Sequence, residues 1–118
     1  MLRVAKLVDG RVNSKFVRSF LDIIVMAILD DAPSHGYDII ATIHKEFGVL
    51  LSPGTIYPLL YSLKSNGSIE SSNIGSKILY RISPKGKQKY ASAVSSFRSI
   101  TENMSNLVKK QDSIILKV

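Results

Sequence analysis

The stretch Ser52-Pro53-Gly54-Thr55-Ile56-Tyr57-Pro58-Leu59-Leu60-Tyr61-Ser62-Leu63-Lys64-Ser65-Asn66-Gly67 constrains this chain more than any other. Its punctuation is that of a helix. Ser52 can accept bonds from free backbone N–H groups at the start. Pro53 loses nothing at the first helical position, where its missing N–H has no partner to find. Gly67 can take the left-handed conformation that ends a helix. Between them Ile56, Leu59, Leu60 and Leu63 recur at i, i+3, i+4 and i+7, a single apolar stripe. The other positions carry Thr55, Tyr57, Pro58, Tyr61, Ser62, Lys64 and Ser65, and no acid. A solvated face more often carries Glu and Lys pairs. This one suits a partner that is negative and partly apolar, which predicts the helix that enters DNA.

Upstream, the pattern predicts one strongly apolar helix from Ser14 to Asp30, capped by Ser14 and burying Phe16, Phe20, Ile23, Ile24, Ala27 and Ile28. It ends before Pro33, because Ala32 precedes a proline. Ser34 then caps a second helix, His35 to Phe47, with Ile39, Ile40, Ile43 and Phe47 on one stripe and Gly48 as its stop. Two helices, a short link and a third helix make a helix-turn-helix. Residues 1–13 form an N-terminal extension that reads as a short hairpin around Asp9-Gly10, an arm packed on the domain, or a mobile arm with Arg3, Lys6 and Arg11.

After Gly67 the period changes. Ser68–Asn73 and Lys77–Ser83 read as short strands, with Gly75-Ser76 as a hairpin tip. A lone hairpin is not stable in water, so this one must lean on the helices. It would carry Lys77 and Arg81 beside the third helix, as the wing of a winged helix. Ser83-Pro84 repeats the cap-then-proline device of Ser52-Pro53 and opens a long helix to about Lys110. In it Tyr90, Val94, Phe97, Thr101, Met104 and Val108 recur at alternating spacings of four and three, an a/d seam. A second copy of the chain is the expected cover, giving a two-fold dimer. The competing arrangement folds this helix back along the first helix of its own domain. The expected fold is therefore mainly α with a small β-hairpin wing. It comprises a winged helix-turn-helix over residues 14–83 and a C-terminal dimerisation helix and tail over 84–118.

The 118 residues suit one domain, and 45% hydrophobic content suffices for a core. The net charge of +7 is uneven: residues 1–50 hold six basic and six acidic residues, and residues 51–118 hold ten and three. Lys77, Arg81, Lys85, Lys87 and Lys89 follow one another without an acid, which favours a polyanion through counterion release. Cysteine is absent, which removes disulfides and thiolate zinc sites. His35 and His44 are nine residues apart and match no compact metal-ligand spacing. Asp30-Asp31 reads as a helix-end loop. With no phosphate loop and no nucleophile–base constellation, neither an enzyme nor a cofactor is expected. The longest apolar run, Phe20 to Leu29, contains Asp22 and is too short to cross a bilayer. A cytoplasmic, nucleoid-associated protein without a membrane partner is expected.

The pattern resembles the PadR-like winged-helix transcriptional regulators. Their His-Gly-Tyr start to the second helix is matched by His35-Gly36-Tyr37-Asp38-Ile39-Ile40. Their Pro-Gly-Thr-x-Tyr-Pro-x-Leu-x-x-Leu core is matched by Pro53 to Leu63, followed by Gly67. Their Tyr-Arg-x-Thr-Pro-x-Gly run is matched by Tyr80-Arg81-Ile82-Ser83-Pro84-Lys85-Gly86. The match covers roughly residues 20–90 in order and spacing. It departs at Ser65, Asn66 and Leu79, and the chain has no tryptophan. The resemblance implies a homodimer on a near-palindromic operator, with the third helix in the major groove, the wing on the backbone and the last helix dimerising. It implies repression, and in some members release from DNA by a small aromatic effector near the dimer interface.

The expected DNA contacts are Ser52, Thr55, Tyr57, Pro58, Tyr61, Lys64, Lys77 and Arg81. Thr55 lies in the first turn, where such helices reach base edges. Tyr57 and Tyr61 can bond phosphate or pack on a thymine methyl, or cover the edge of the wing. Pro58 frees the carbonyl of Gly54, shaping either the DNA surface or a plain kink. Lys64, Lys77 and Arg81 are phosphate candidates. His35 is expected to support the start of the second helix. Two rival functions stay open: a winged-helix protein-interaction module, and a nucleoid protein binding DNA without sequence preference.

Overall fold

Asp9 opens the first helix: its carboxylate accepts the backbone N–H of Arg11 at 2.9 Å. The computed structural model describes residues 9–117, with side chains as far as Lys109. The order is α1 (Gly10–Ser19), α2 (Leu21–Asp31), β1 (Ser34–His35), α3 (Gly36–Phe47), α4 (Pro53–Ser65), β2 (Ile69–Ile74), β3 (Lys77–Ile82) and α5 (Pro84–Lys117). Four expectations are corrected here. The helix expected from Ser14 to Asp30 is two helices, meeting at Phe20 (φ −115°, ψ 24°). Asp9, not Ser14, is the cap, and Ser14 Oγ accepts from Arg18 Nε instead. Residues 10–13 belong to α1 and not to an extension. The hairpin read around Asp9-Gly10 does not form, because Asp9 caps α1 and Gly10 begins it, and the rest of the expected arm, over the first eight residues, lies outside the described residues.

The bend at Phe20 serves the packing. It lets Phe16 contact Phe20, Phe47 and Phe97, with centroids 5.1, 6.0 and 5.9 Å away. It also lets Asn13 Nδ2 donate to Phe47 O at 2.8 Å, which ties α1 to the end of α3. Because of the bend, the deepest face is not the expected one. Val17, Leu21, Val25 and Leu29 are buried together with Ile24 of the expected face, whereas Phe16, Phe20, Ile23, Ala27 and Ile28 are half-buried.

α3 and α4 bury the expected stripes. Ile39, Ile43, Ile56 and Leu60 are fully buried, and Leu63 nearly so. Gly48 closes α3 in the left-handed region at φ 69°. Gly67 follows α4 at φ 80°, its N–H bonding Lys64 O at 3.1 Å. Ser34 does not cap α3, because Ser34 and His35 form a third strand. The sheet order is β1-β3-β2, all antiparallel, with Ser34 opposite Tyr80 and Ile69 opposite Ile82. Ile69, Tyr80 and Ile82 turn inward, so the wing leans on the core with one face.

Ser83 starts α5: its Oγ accepts Gly86 N–H at 3.0 Å and donates to Gly67 O. At 34 residues, α5 is about 51 Å long, and the molecule measures 60 × 28 × 21 Å. Among the described residues, no helix is long and apolar enough to cross a membrane.

Candidate nucleic-acid interface

α4 lays its apolar stripe on the core and turns its polar face outward. Ser52, Pro58 and Lys64 are exposed, Thr55 is half-buried, and Tyr61 is 74% exposed. Ser52 caps differently from expectation. Its carbonyl accepts the N–H groups of Thr55 and Ile56 at 3.0 and 3.2 Å, while its Oγ lies 3.3 Å from Thr55 Oγ1. The two hydroxyls thus pair at the end of the helix where the backbone presents unbonded N–H groups.

Tyr57 is placed differently from Tyr61. It is half-buried, its ring packed where a side chain on Gly36 would otherwise be. Tyr37 meets it edge-on, with centroids 6.2 Å apart and planes at 69°. A cleft of about 310 Å³ opens beside it, lined by His35, Tyr37, Tyr57, Lys77, Ile78 and Tyr80 among others. Burial, and secondarily the neighbouring Tyr57, hold the Tyr80 phenol above its usual pKa. His35 Nδ1 faces Ile78 O at 2.8 Å, so Nδ1 carries the proton and donates. This bond to the wing was not legible in the sequence, because it spans 43 positions. His35 also stands immediately before α3, but its side chain makes no capping hydrogen bond there, so the expected support of that helix's start is not seen and the ring serves the wing instead.

Lys77 thus joins the cleft beside α4. Arg81 does not line it. It pairs opposite Glu70 and donates to Ser72 Oγ at 3.3 Å. The basic run from Lys77 to Lys89 also divides. Lys85 Nζ donates to Asn66 O at 2.8 Å and Lys89 Nζ to Ser68 Oγ at 3.3 Å. Both cations are therefore spent on the exit of α4, where a helix dipole favours positive charge. Among the described residues, Lys64, Lys77 and Arg81 form no ion pair.

The expected seam on α5 also divides. Tyr90, Val94 and Phe97 are half-buried, and Phe97 packs on Phe16 and Phe20 of the same chain. Thr101, Met104 and Val108 are exposed, with the Thr101 hydroxyl bonded back to Phe97 O. The competing arrangement, in which α5 folds along its own domain, therefore holds for the first half only.

The model of the transcriptional regulator PadR-like family matches residues 25–92. The transcriptional activator GvpE of Haloferax mediterranei is 36% identical over 75 residues, covering 61% of this chain. The chain spans only 38% of the length of that curated relative. Among solved structures, a PadR-like transcriptional regulator from Bacillus cereus aligns with a TM-score of 0.73 at 22% identity, covering 80% of this chain and 96% of its own. A transcriptional regulator from Clostridium thermocellum gives 0.71 at 24%, covering 79% and 94%. Bacillus subtilis PadR in complex with operator DNA gives 0.55 at 26%, covering 63% and 45%.

Proposed function

The chain belongs to the transcriptional regulator PadR-like family, and on that footing we propose that it binds double-stranded DNA sequence-specifically as a homodimer and represses transcription. The family is one of regulators and not of enzymes. The observation that carries the reading is the outward face of α4, where Pro58, Tyr61 and Lys64 stand free on a helix anchored by its opposite stripe. In this proposal α4 enters the major groove, Thr55 and Tyr61 approach base edges, and Ser52 and Lys64 take phosphates. Lys77 and Arg81 both reach the backbone from the wing. The similarity to PadR in complex with operator DNA supports the DNA-binding part of this reading.

Dimerisation is supported by the far half of α5. Ile100, Met104, Leu107 and Val108 are 59, 60, 63 and 47% exposed on a helix that projects beyond its domain. Such an apolar row suits a second copy. Repression follows if the seated dimer blocks other proteins from the same DNA. GvpE is named an activator, so a reporter fused to the selected site must give the sign. The small aromatic effector implied by the family resemblance gains no support from the described residues.

One observation favours a protein-interaction module instead: Leu50 and Tyr37, flanking the start of α4, are 69 and 67% exposed. Selection from a pool of random duplexes across a salt series, with the mass measured in parallel, separates the readings. A dimer enriching a two-fold-symmetric site supports the regulator. Binding without enrichment supports the nucleoid role, and no binding at low salt leaves the interaction module.

A further inference from the structure

α4 is joined to the wing through its far end, where Asn66-Gly67-Ser68 leads into β2. The near end, which carries Thr55 and Pro58, lies about 12 Å away along the helix axis. There the link to the wing is a side chain, Tyr57. A Cβ on Gly36 would collide first with the Tyr57 hydroxyl oxygen, and would fall 2.6 Å from Cζ and 2.7 Å from Cε1. The ring therefore fills the space that any side chain at position 36 would need. Gly36 in turn is fastened to the wing. It follows β1, whose Ser34 and His35 pair with Tyr80 and Leu79 of β3. His35 Nδ1 also donates to Ile78 O at 2.8 Å. A short path of packing and hydrogen bonds thus runs from Tyr57 through Gly36 and His35 to the wing.

We propose that Tyr57 is a positioning residue whose ring, seated against Gly36, sets the near end of α4 relative to the wing so that both engage one duplex. The proposal rests on the DNA-binding reading above and assigns Tyr57 a role distinct from base contact. The contrast with Tyr61 carries it. One turn apart on the same helix, Tyr61 is free for DNA, while Tyr57 is committed to the protein. Ring and hydroxyl both lie over Gly36, and among the described residues the hydroxyl makes no hydrogen bond, so removing the oxygen keeps most of the packing while removing the ring does not. A misplaced wing would no longer bring Lys77 to phosphate. Disturbing Tyr57 should therefore change the electrostatics of binding, although no charge is removed.

The test uses the full chain and the duplex that the unaltered protein enriches. Tyr57→Phe, Tyr57→Leu, Gly36→Ala and the combination of the last two are compared across a salt series, below the thermal midpoint of each. Tyr57→Phe should keep affinity within about twofold and keep the enriched sequence. Tyr57→Leu and Gly36→Ala should each lose about tenfold. Each should also flatten the slope of log affinity against log salt by about one unit, the signature of one lost phosphate contact. The combination should be no worse than Tyr57→Leu alone, since both break the same contact. An unchanged slope in Tyr57→Leu would reduce the ring to a stabilising role and overturn the proposal; this variant decides alone should Gly36→Ala not fold. A Tyr57→Phe variant as impaired as Tyr57→Leu, with altered base preference, would overturn it in favour of direct reading by the hydroxyl. Failure of the unaltered protein to bind any duplex at low salt would remove the DNA-binding reading and this proposal together.

Discussion

Phe97 of α5 meets Phe20, the residue at the bend between α1 and α2, edge-on, with ring centroids 5.9 Å apart and planes at 70°. Edge-to-face geometry at this distance is favourable beyond the area it buries. Phe97 thereby fastens the long helix to its own domain just before α5 becomes exposed. Phe97→Ala should lower the unfolding free energy by about 2 kcal/mol, less than for a fully buried Phe because the ring is half-buried. Urea unfolding at fixed protein concentration measures this. Leu107→Asp tests the other half of the helix. It touches the exposed row and, if the proposed dimer forms through that row, should reduce the mass in solution to that of one chain, with the α-helical signal of the domain retained.

Two glycines should respond differently to the same substitution. At Gly86 an added Cβ would collide with the carbonyl of Ser68 and fall 2.9 Å from Ile82 Cγ1. A backbone neighbour cannot turn aside, so Gly86→Ala should cost about 3 kcal/mol, at the high end for overpacking. At Gly48 a Cβ would meet nothing within 4 Å, but φ is +69°. Gly48→Ala should cost about 1 kcal/mol, the penalty of a left-handed alanine. Thermal midpoints of the two variants, measured side by side, check the order.

α1 should loosen in acid before the rest of the domain does. The Arg11 side chain, and next the Arg11 backbone N–H, hold the Asp9 carboxyl below its usual pKa of 3.8. A carboxylate with a depressed folded-state pKa stabilises fully above its unfolded pKa, and that contribution is lost as pH falls through the folded value. Amide hydrogen exchange of Arg11, Val12 and Asn13 should therefore accelerate as pH drops below about 3.8, after correction for intrinsic rates. Asp9→Asn should abolish this pH dependence while keeping the cap, because asparagine also accepts the bond.

The parts of the fold that were legible in the sequence are those set by local chemistry. Pro53, Gly67, Gly75-Ser76 and Ser83-Pro84 each impose a start, a stop or a turn through their own backbone preferences, and α4, the wing and α5 stand where these residues put them. The bend at Phe20 carried no such mark. No proline or glycine stands there, and the rings packed around it, Phe47 against Phe16 and Phe97 against Phe20, lie 31 and 77 positions further on. β1 was hidden for a similar reason. Two residues have no periodicity, and Ser34 becomes a strand only by pairing with Tyr80. In the candidate site, the exposed α4 face followed from the apolar stripe alone. The division of labour between Tyr57 and Tyr61 did not, because both lie off that stripe and only the packing on Gly36 separates them. The lysines show the same limit: charge counting treats Lys77 and Lys85 alike, but their partners differ.

That difference between the lysines gives a last expectation. Lys77 lines the cleft beside α4 and is exposed, with no ion-pair partner among the described residues. Lys85 is bound to the chain's own Asn66 carbonyl at 2.8 Å. In the proposed complex Lys77 displaces counterions from the duplex and Lys85 does not. Lys77→Ala should therefore weaken binding to all sequences similarly and reduce the salt slope by about one unit. Lys85→Ala should leave that slope unchanged. Its cost should appear in the free protein, as faster amide exchange around Asn66, Gly67 and Ser68, where it holds the exit of α4 against the start of α5. Equal slopes for the two variants would mean that the whole basic run from Lys77 to Lys89 acts as one diffuse patch, and that the internal bonds of Lys85 open when DNA arrives.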